Sequence, residues 1–341
     1  MRDLDSSTGP EAIEVLRAAA DAGDTGSIVE LGKRLMGGRN APFSPEEGVR
    51  CITRAAELGD PEALNVMATL SGGGVWGVPH SWLRALDYLR AAAEAGSADA
   101  RAQLCLIASD ADGVALAQTN PTLDIWKRLR QSANLPAWVT SRPAAQVCEA
   151  PKVWTAENFV SPLLCTWLLG RAEGKYKASE MRDTATGSSR VLESRTCSDF
   201  VFDIVAGGVV MLLLRIKISG VTEIPVPHME PPQIFHYALG QEIKAHYDFL
   251  RDGEQTYGRD GGYAGDRLAT FLMYLNDGYG GGELIFPKAN YRYKGKSGDG
   301  IFFGSQRGGK PDPMSLHAAL PVTQGEKFIL SQWIHDRPFA A

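Results

Sequence analysis

The sequence predicts a multidomain chain: an all-α helical-repeat solenoid, then a sandwich or barrel of short strands with flanking helices. Three observations predict it. A motif rich in alanine and closed by glycine recurs through the first third of the chain at a nearly constant period. That phase is lost after about residue 107. Beyond residue 150 the apolar runs shorten to strand length and are separated by glycine-rich turns.

The repeat is read from AAADAG (18–23), AAELG (55–59) and AAAEAG (91–96), whose closing glycines Gly23, Gly59 and Gly96 are spaced 36 and 37 residues apart. Four positions after each glycine stands a small residue (Ser27, Ala63, Ala100). Eight positions after it stands a large apolar one (Leu31, Met67, Leu104). A period near this length marks helical hairpins that bury their apolar faces only against neighbouring repeats. Helix starts agree with the phase. Ser44-Pro45-Glu46-Glu47 has the pattern of a capping box, and Asp60-Pro61 repeats the cap-then-proline device.

Composition narrows the classes. A chain of 341 residues with 44% hydrophobic and 22% charged residues is globular rather than disordered. A formal net charge of -5 gives no basic field to attract nucleic acid. Five widely spaced cysteines without a CxxC pair fit neither a disulfide framework nor a zinc knuckle, so they are read as reduced thiols of a cytoplasmic protein. The acidic N-terminus has no apolar core of a secretory leader. The longest apolar run, Ile204 to Leu214, is shorter than the ~18 residues of a membrane span, so no membrane partner is expected.

In the second half, Ile234–Leu239, Leu268–Leu275, Gly300–Phe303 and Phe328–Ile334 read as strands, and Glu157–Leu169 and Asp199–Ile218 as helices. The glycine-rich 252–266 segment reads as a loop that could serve as a lid. Residues 136–151 read as a linker, and Leu123–Leu129 as a capping helix. The expected domains are 1–110, helical repeats; 111–150, helical cap and linker; and 151–341, the β domain.

Two His-x-acid pairs occur there. His228-Met229-Glu230 sits among prolines that deny it a ladder. His246-Tyr247-Asp248 follows a strand-like run, and alternate residues of a strand share a face. Two histidines and a carboxylate on one face of a metal form the ligand set of non-haem iron oxygenases. His317 is the candidate third ligand. Ten residues later Lys327 opens an apolar strand, where a lysine is costly unless it meets an anion.

With these residues in place, 151–336 resembles the catalytic domain of the prolyl 4-hydroxylase group of 2-oxoglutarate-dependent dioxygenases. The resemblance runs through AENFVSPLLC (156–165), RDTATG (182–187), SRTCSDF (194–200), IPVPHMEPPQIFHYALGQEIKAHYD (224–248), RLATFLMYLNDGYGGGELIFP (267–287) and GDGIFFG (298–304). It implies a double-stranded β-helix (jelly roll) and Fe(II), 2-oxoglutarate and O2 as cofactors, with ascorbate added. The implied metal ligands and catalytic residues are His246, Asp248 and His317. Lys327 and Tyr237 would bind the far carboxylate of 2-oxoglutarate, and Arg267, Trp333 and His335 would shape the pocket for a protein or peptide substrate. Leu284 departs from the threonine common after the family's Gly-Gly-Glu. Residues 10–110 resemble the Sel-like, tetratricopeptide-related repeats, which implies a protein partner on that surface.

Overall fold

The computed structural model describes residues 10–38, 40–108, 123–178, 180–182, 189–191, 195–249 and 265–338. Most of the 252–266 segment read as a lid lies outside them. The chain divides into two compact units, Met1–Trp138 with Asp203–Leu214, and Val139–Phe202 with Arg215–Ala341.

The helical unit is built from Pro10–Asp21, Thr25–Gly37, Pro45–Glu57, Pro61–Gly73, Trp82–Glu94 and Ala98–Ala108, followed by Leu123–Ser132 and Leu135–Val139. The repeating glycines have a physical cause. Gly23, Gly59 and Gly96 adopt φ of 93°, 81° and 103°, where a side chain is strained. Each follows a helix end at which the next residue's N–H reaches back to a carbonyl five positions earlier: Asp24 to Ala19, Asp60 to Ala55, Ser97 to Ala92. That same next residue then caps the following helix, its side chain accepting from the N–H of Ser27, Ala63 or Ala100. The small residue four positions after each glycine is therefore the capped one. Leu31, Met67 and Leu104 are buried, as the period requires. The box at Ser44 differs from the sequence pattern. Ser44 is the N-cap and Pro45 the first helical residue, but its side chain makes no cap hydrogen bond. Glu47 is instead paired with Arg17.

Within 136–151, read as a linker, the structure has the helix Leu135–Val139 and strand β1 (Ala145–Glu149) paired with β2 (Lys152–Ala156). The remaining strands that frame the site are β3 (Lys177–Ala178), β4 (Ser198–Val201), β5 (Gln233–Tyr237), β6 (Ile243–His246), β7 (Arg267–Tyr274), β8 (Leu284–Phe286), β9 (Tyr291–Tyr293), β10 (Gly300–Gly304), β11 (His317–Ala319) and β12 (Lys327–His335). Among the described residues the major sheet has the order β1-β2-β10-β7-β12-β5-β4-β3, and a minor sheet has the order β9-β8-β11-β6. The pairings between these strands are antiparallel. This is the double-stranded β-helix.

Both sheets feed one core. Phe235, Tyr274 and Phe303 come from the major sheet, and Leu284 and Phe286 from the minor one. The rings of Phe286 and Phe303 meet edge to face with centroids 5.0 Å apart. Burying each such ring contributes about 2–3 kcal/mol. Asp199–Ile218, expected as one helix, divides: Ser198–Val201 is a strand registered on β5, and the helix runs Ile204–Thr222. Ladder pairing with a neighbouring strand overrides local propensity there. An 18-residue window of this helix, Val205–Thr222, is long and apolar enough to pass as a span by composition, longer than the Ile204–Leu214 run suggests. It contains Arg215 and Lys217, is broken at Gly208 (φ 63°, ψ -173°), and buries Val209, Val210, Leu213 and Leu214 within the protein.

Candidate active site

The minor sheet brings two imidazoles together. His246 ends β6 and His317 opens β11, and the antiparallel register sets them directly opposite one another. Their ring centroids are 4.3 Å apart. The strand stops at His246, so Asp248 is held in the bend two residues further on, with its side chain 3% exposed. One donor atom from each of His246, Asp248 and His317 lies within 4.8 Å of the others. His246 Nε2 is 3.5 Å from Asp248 Oδ1, and His317 Nε2 is 3.6 Å from Asp248 Oδ2.

Both rings are oriented by backbone. His246 Nδ1 donates to the carbonyl of Lys244 and His317 Nδ1 to that of Ser315, each at 2.9 Å. A carbonyl only accepts, so the proton sits on Nδ1 and each Nε2 keeps its lone pair for a metal. Burial pushes His317 down to about 4, leaving it neutral near pH 7. Burial would raise the Asp248 carboxyl, but His317, His246 and Arg267 outweigh it and hold the group well below the usual carboxylate range. Two imidazoles that turn Nε2 towards one carboxylate suit a divalent, borderline metal such as Fe(II).

The major sheet supplies the rest of the cavity. Lys327, Ile329, Ser331 and Trp333 alternate along β12 and line it together, as a period of two demands. Lys327 is registered opposite Tyr237 on β5, and its Nζ stands 4.7 Å from that ring centroid. The ammonium donates to the carbonyl of Gly282 at 2.7 Å. Gly282 has φ 68°, and a Cβ there would come 3.1 Å from Lys327 Cδ, so only glycine leaves the lysine this path. Burial pushes Lys327 down to about 7. Tyr274 also lines the cavity, fully buried, with a hydroxyl that has no hydrogen-bond partner among the described residues.

Arg267, Trp333 and His335 form a group at the other end of β12. Arg267 is registered opposite His335, past a shift in the ladder. Its guanidinium lies 3.8 Å over the Trp333 ring and grips Glu230 through Nε (2.6 Å) and Nη2 (3.1 Å). Burial would raise Glu230, but Arg267 and His335 bring it down to about 2. His335 Nε2 donates to that carboxylate at 2.6 Å. Trp333 lines the cavity, whereas Arg267 and His335 are packed beside it and do not. His335 is fully buried.

Glu230, Thr270, Tyr274 and the cavity-lining Arg195 are site residues that no sequence motif marks. In the sequence Glu230 stands out only as a possible metal ligand with His228. The available signal is that an arginine opening an apolar strand needs an acid. Thr270 and Tyr274 share the period-two face of β7 with Leu272.

A family model of the 2OG-Fe(II) oxygenase superfamily matches residues 232–335, the stretch that carries every residue named above as a ligand or anion binder. The chain is 32% identical to probable prolyl 4-hydroxylase 3 of Arabidopsis thaliana, over 54% of this chain and 69% of that protein. The chain belongs to the prolyl 4-hydroxylase family. It is a 2-oxoglutarate-dependent dioxygenase, and its cofactors are those of the family: Fe(II), 2-oxoglutarate and O2. The chain is also similar to a viral collagen prolyl hydroxylase from Paramecium Bursaria Chlorella virus-1 solved with 2-oxoglutarate (27% identity, 55% of this chain and 98% of that one, TM-score 0.39). A further likeness is to a Sel1 repeat protein from Oxalobacter formigenes (26%, 38% and 52%, TM-score 0.28).

The residues fit these groups. The His-Asp-His donors suit Fe(II), while the Lys327 ammonium and the orphaned Tyr274 hydroxyl offer a cation and a neutral donor to a carboxylate in the same cavity.

Proposed function

We propose that this chain hydroxylates a prolyl residue of a protein or peptide, with His246, Asp248 and His317 as the iron ligands. Lys327, Tyr237 and Tyr274 would take the far carboxylate of 2-oxoglutarate. The observation that carries the reading is that two histidines of the minor sheet, Asp248 in the bend after β6 and a buried ammonium of the facing strand line a single cavity.

Bound iron and 2-oxoglutarate would supply the oxidising chemistry together with O2, one oxygen atom ending in succinate as the keto acid loses CO2 and the other in the new C–OH. The protein's own part is positional. The Nδ1–H bonds hold both imidazoles with Nε2 turned to the site. Apolar walls from Phe235, Ile243, Leu284 and Ile329 keep water out. Trp333 forms the flat apolar surface suited to a pyrrolidine ring, and the Arg267–Glu230–His335 group holds that indole in place. Residues 151–341, with β1 (Ala145–Glu149) at the edge of their major sheet, serve as the catalytic domain. The repeats of 1–110, joined through 111–150, serve as a surface for a protein partner.

The test is incubation of proline-containing peptides, and separately free L-proline, with the enzyme, Fe(II), 2-oxoglutarate and ascorbate. Succinate and a mass gain of one oxygen on a peptidyl proline are expected, both lost in Asp248→Ala. Turnover of free proline alone would replace the peptide substrate with an amino acid. Full activity in Asp248→Ala would overturn the ligand assignment.

A further inference from the structure

Thr270 stands on β7, opposite Trp333 of β12 on one side and Phe303 of β10 on the other. It is 1% exposed, in the middle of the major sheet. Its Oγ1 lies 2.5 Å from Asp248 Oδ2, a buried side chain of the opposite wall of the cavity. The threonine hydroxyl carries the proton and the carboxylate oxygen accepts it, so Thr270 is the donor. A hydroxyl-to-carboxylate bond this short is of the strong, charge-assisted kind.

We infer that Thr270 is the positioning residue of the metal site: it fixes the rotation of the Asp248 carboxylate through a hydrogen bond delivered from the facing sheet. The need for such a device follows from the local backbone. Strand β6 ends at His246, so no ladder holds Asp248, which lies in a bend just before residues 250–264. Both histidines have their rings set by a carbonyl, and Thr270 does the corresponding work for the third ligand. A β-branched side chain in a central strand has few rotamers, so its hydroxyl is a fixed point. The arrangement also ties the metal to β7, the strand that carries Tyr274 at its other end, so one rigid strand sets ligand geometry and lines the cosubstrate cavity.

This inference rests on the ligand assignment above, and the experiment separates the two. Co(II) affinity and the Co(II) d–d spectrum are measured for the full-length wild type, Thr270→Val, Thr270→Ser and Thr270→Ala, with folding checked by circular dichroism. Wild type binds one Co(II). Valine, which keeps the shape and removes the hydroxyl, weakens binding about 10–100-fold and changes the spectrum, while serine stays within a few fold of wild type. If valine does not fold, alanine against serine decides the same question. Valine or alanine binding Co(II) as wild type does, with an unchanged spectrum, overturns the role of Thr270. Absence of Co(II) binding in wild type itself overturns the ligand assignment instead.

Discussion

Strand β12 buries a cation-bearing group at each end, and the two ends solve the problem differently. At the His335 end, Arg267 and Glu230 neutralise one another through a two-pronged contact, with His335 adding a third bond. At the Lys327 end, the ammonium leans on one neutral carbonyl, and burial lowers it to about 7. A charge that already has its counterion is part of the framework. A buried charge met by one carbonyl and tyrosine ring faces, with no carboxylate, costs stability until an anion arrives. The difference separates scaffold from binding site without reference to any ligand.

The largest expected effect breaks the paired end. Glu230→Gln leaves the half-buried Arg267 without its carboxylate and should cost about 3 kcal/mol in chemical denaturation. Little or no loss would show that Arg267 relaxes into solvent and is no framework residue.

The opposite result is expected at the unpaired end. Lys327→Met should raise the thermal midpoint of the ligand-free protein by a few degrees while lowering 2-oxoglutarate affinity at least 100-fold. A fall in both would mean that the lysine is structural. The sign with pH is fixed. Unfolded, the lysine titrates near 10.5, and folded near 7. Its burial cost is therefore full below pH 7 and fades as the pH rises towards 10.5, and the stabilisation by methionine should shrink over that window.

Ligand binding carries the same titration. Below about pH 7 the free protein already holds the proton, so 2-oxoglutarate affinity is flat. Above it, binding must take up a proton, and affinity should fall towards about tenfold per pH unit. Calorimetry in buffers of different ionisation heat reads that uptake directly, and zero uptake at pH 8 would contradict a lowered lysine.

The smallest effect is at Tyr274. Removing one neutral donor with Tyr274→Phe should weaken 2-oxoglutarate about fivefold, the worth of one hydrogen bond of about 1 kcal/mol, with no loss of stability because the hydroxyl has no partner to lose. A loss of stability without a change in affinity would place that hydroxyl in the framework.

Much of this was legible in the sequence, and the limit is register. The period of Gly23, Gly59 and Gly96 announced the repeats because each glycine answers a local need at a helix end. The apolar run opening at Lys327 announced β12, and the pair at 246 and 248 with His317 announced a metal set. Glu230 was not legible as the partner of Arg267, nor Thr270 as that of Asp248, because such pairs depend on which residues the ladder and the facing sheets bring together. Asp199–Val201 reads as helix in the sequence for the same reason: its strand state comes from β5.

The central claim is that one cavity holds both ends of one dicarboxylic acid, iron-side on the minor sheet and ammonium-side on the major one. Diffraction from crystals grown with Mn(II) and 2-oxoglutarate tests it most directly, with the metal located by its anomalous signal. The account predicts one metal ligated by His246 Nε2, the Asp248 carboxylate and His317 Nε2, and a far carboxylate within hydrogen-bond distance of Lys327 Nζ. A metal bound without His317, or a 2-oxoglutarate whose far end lies away from Lys327, would contradict it.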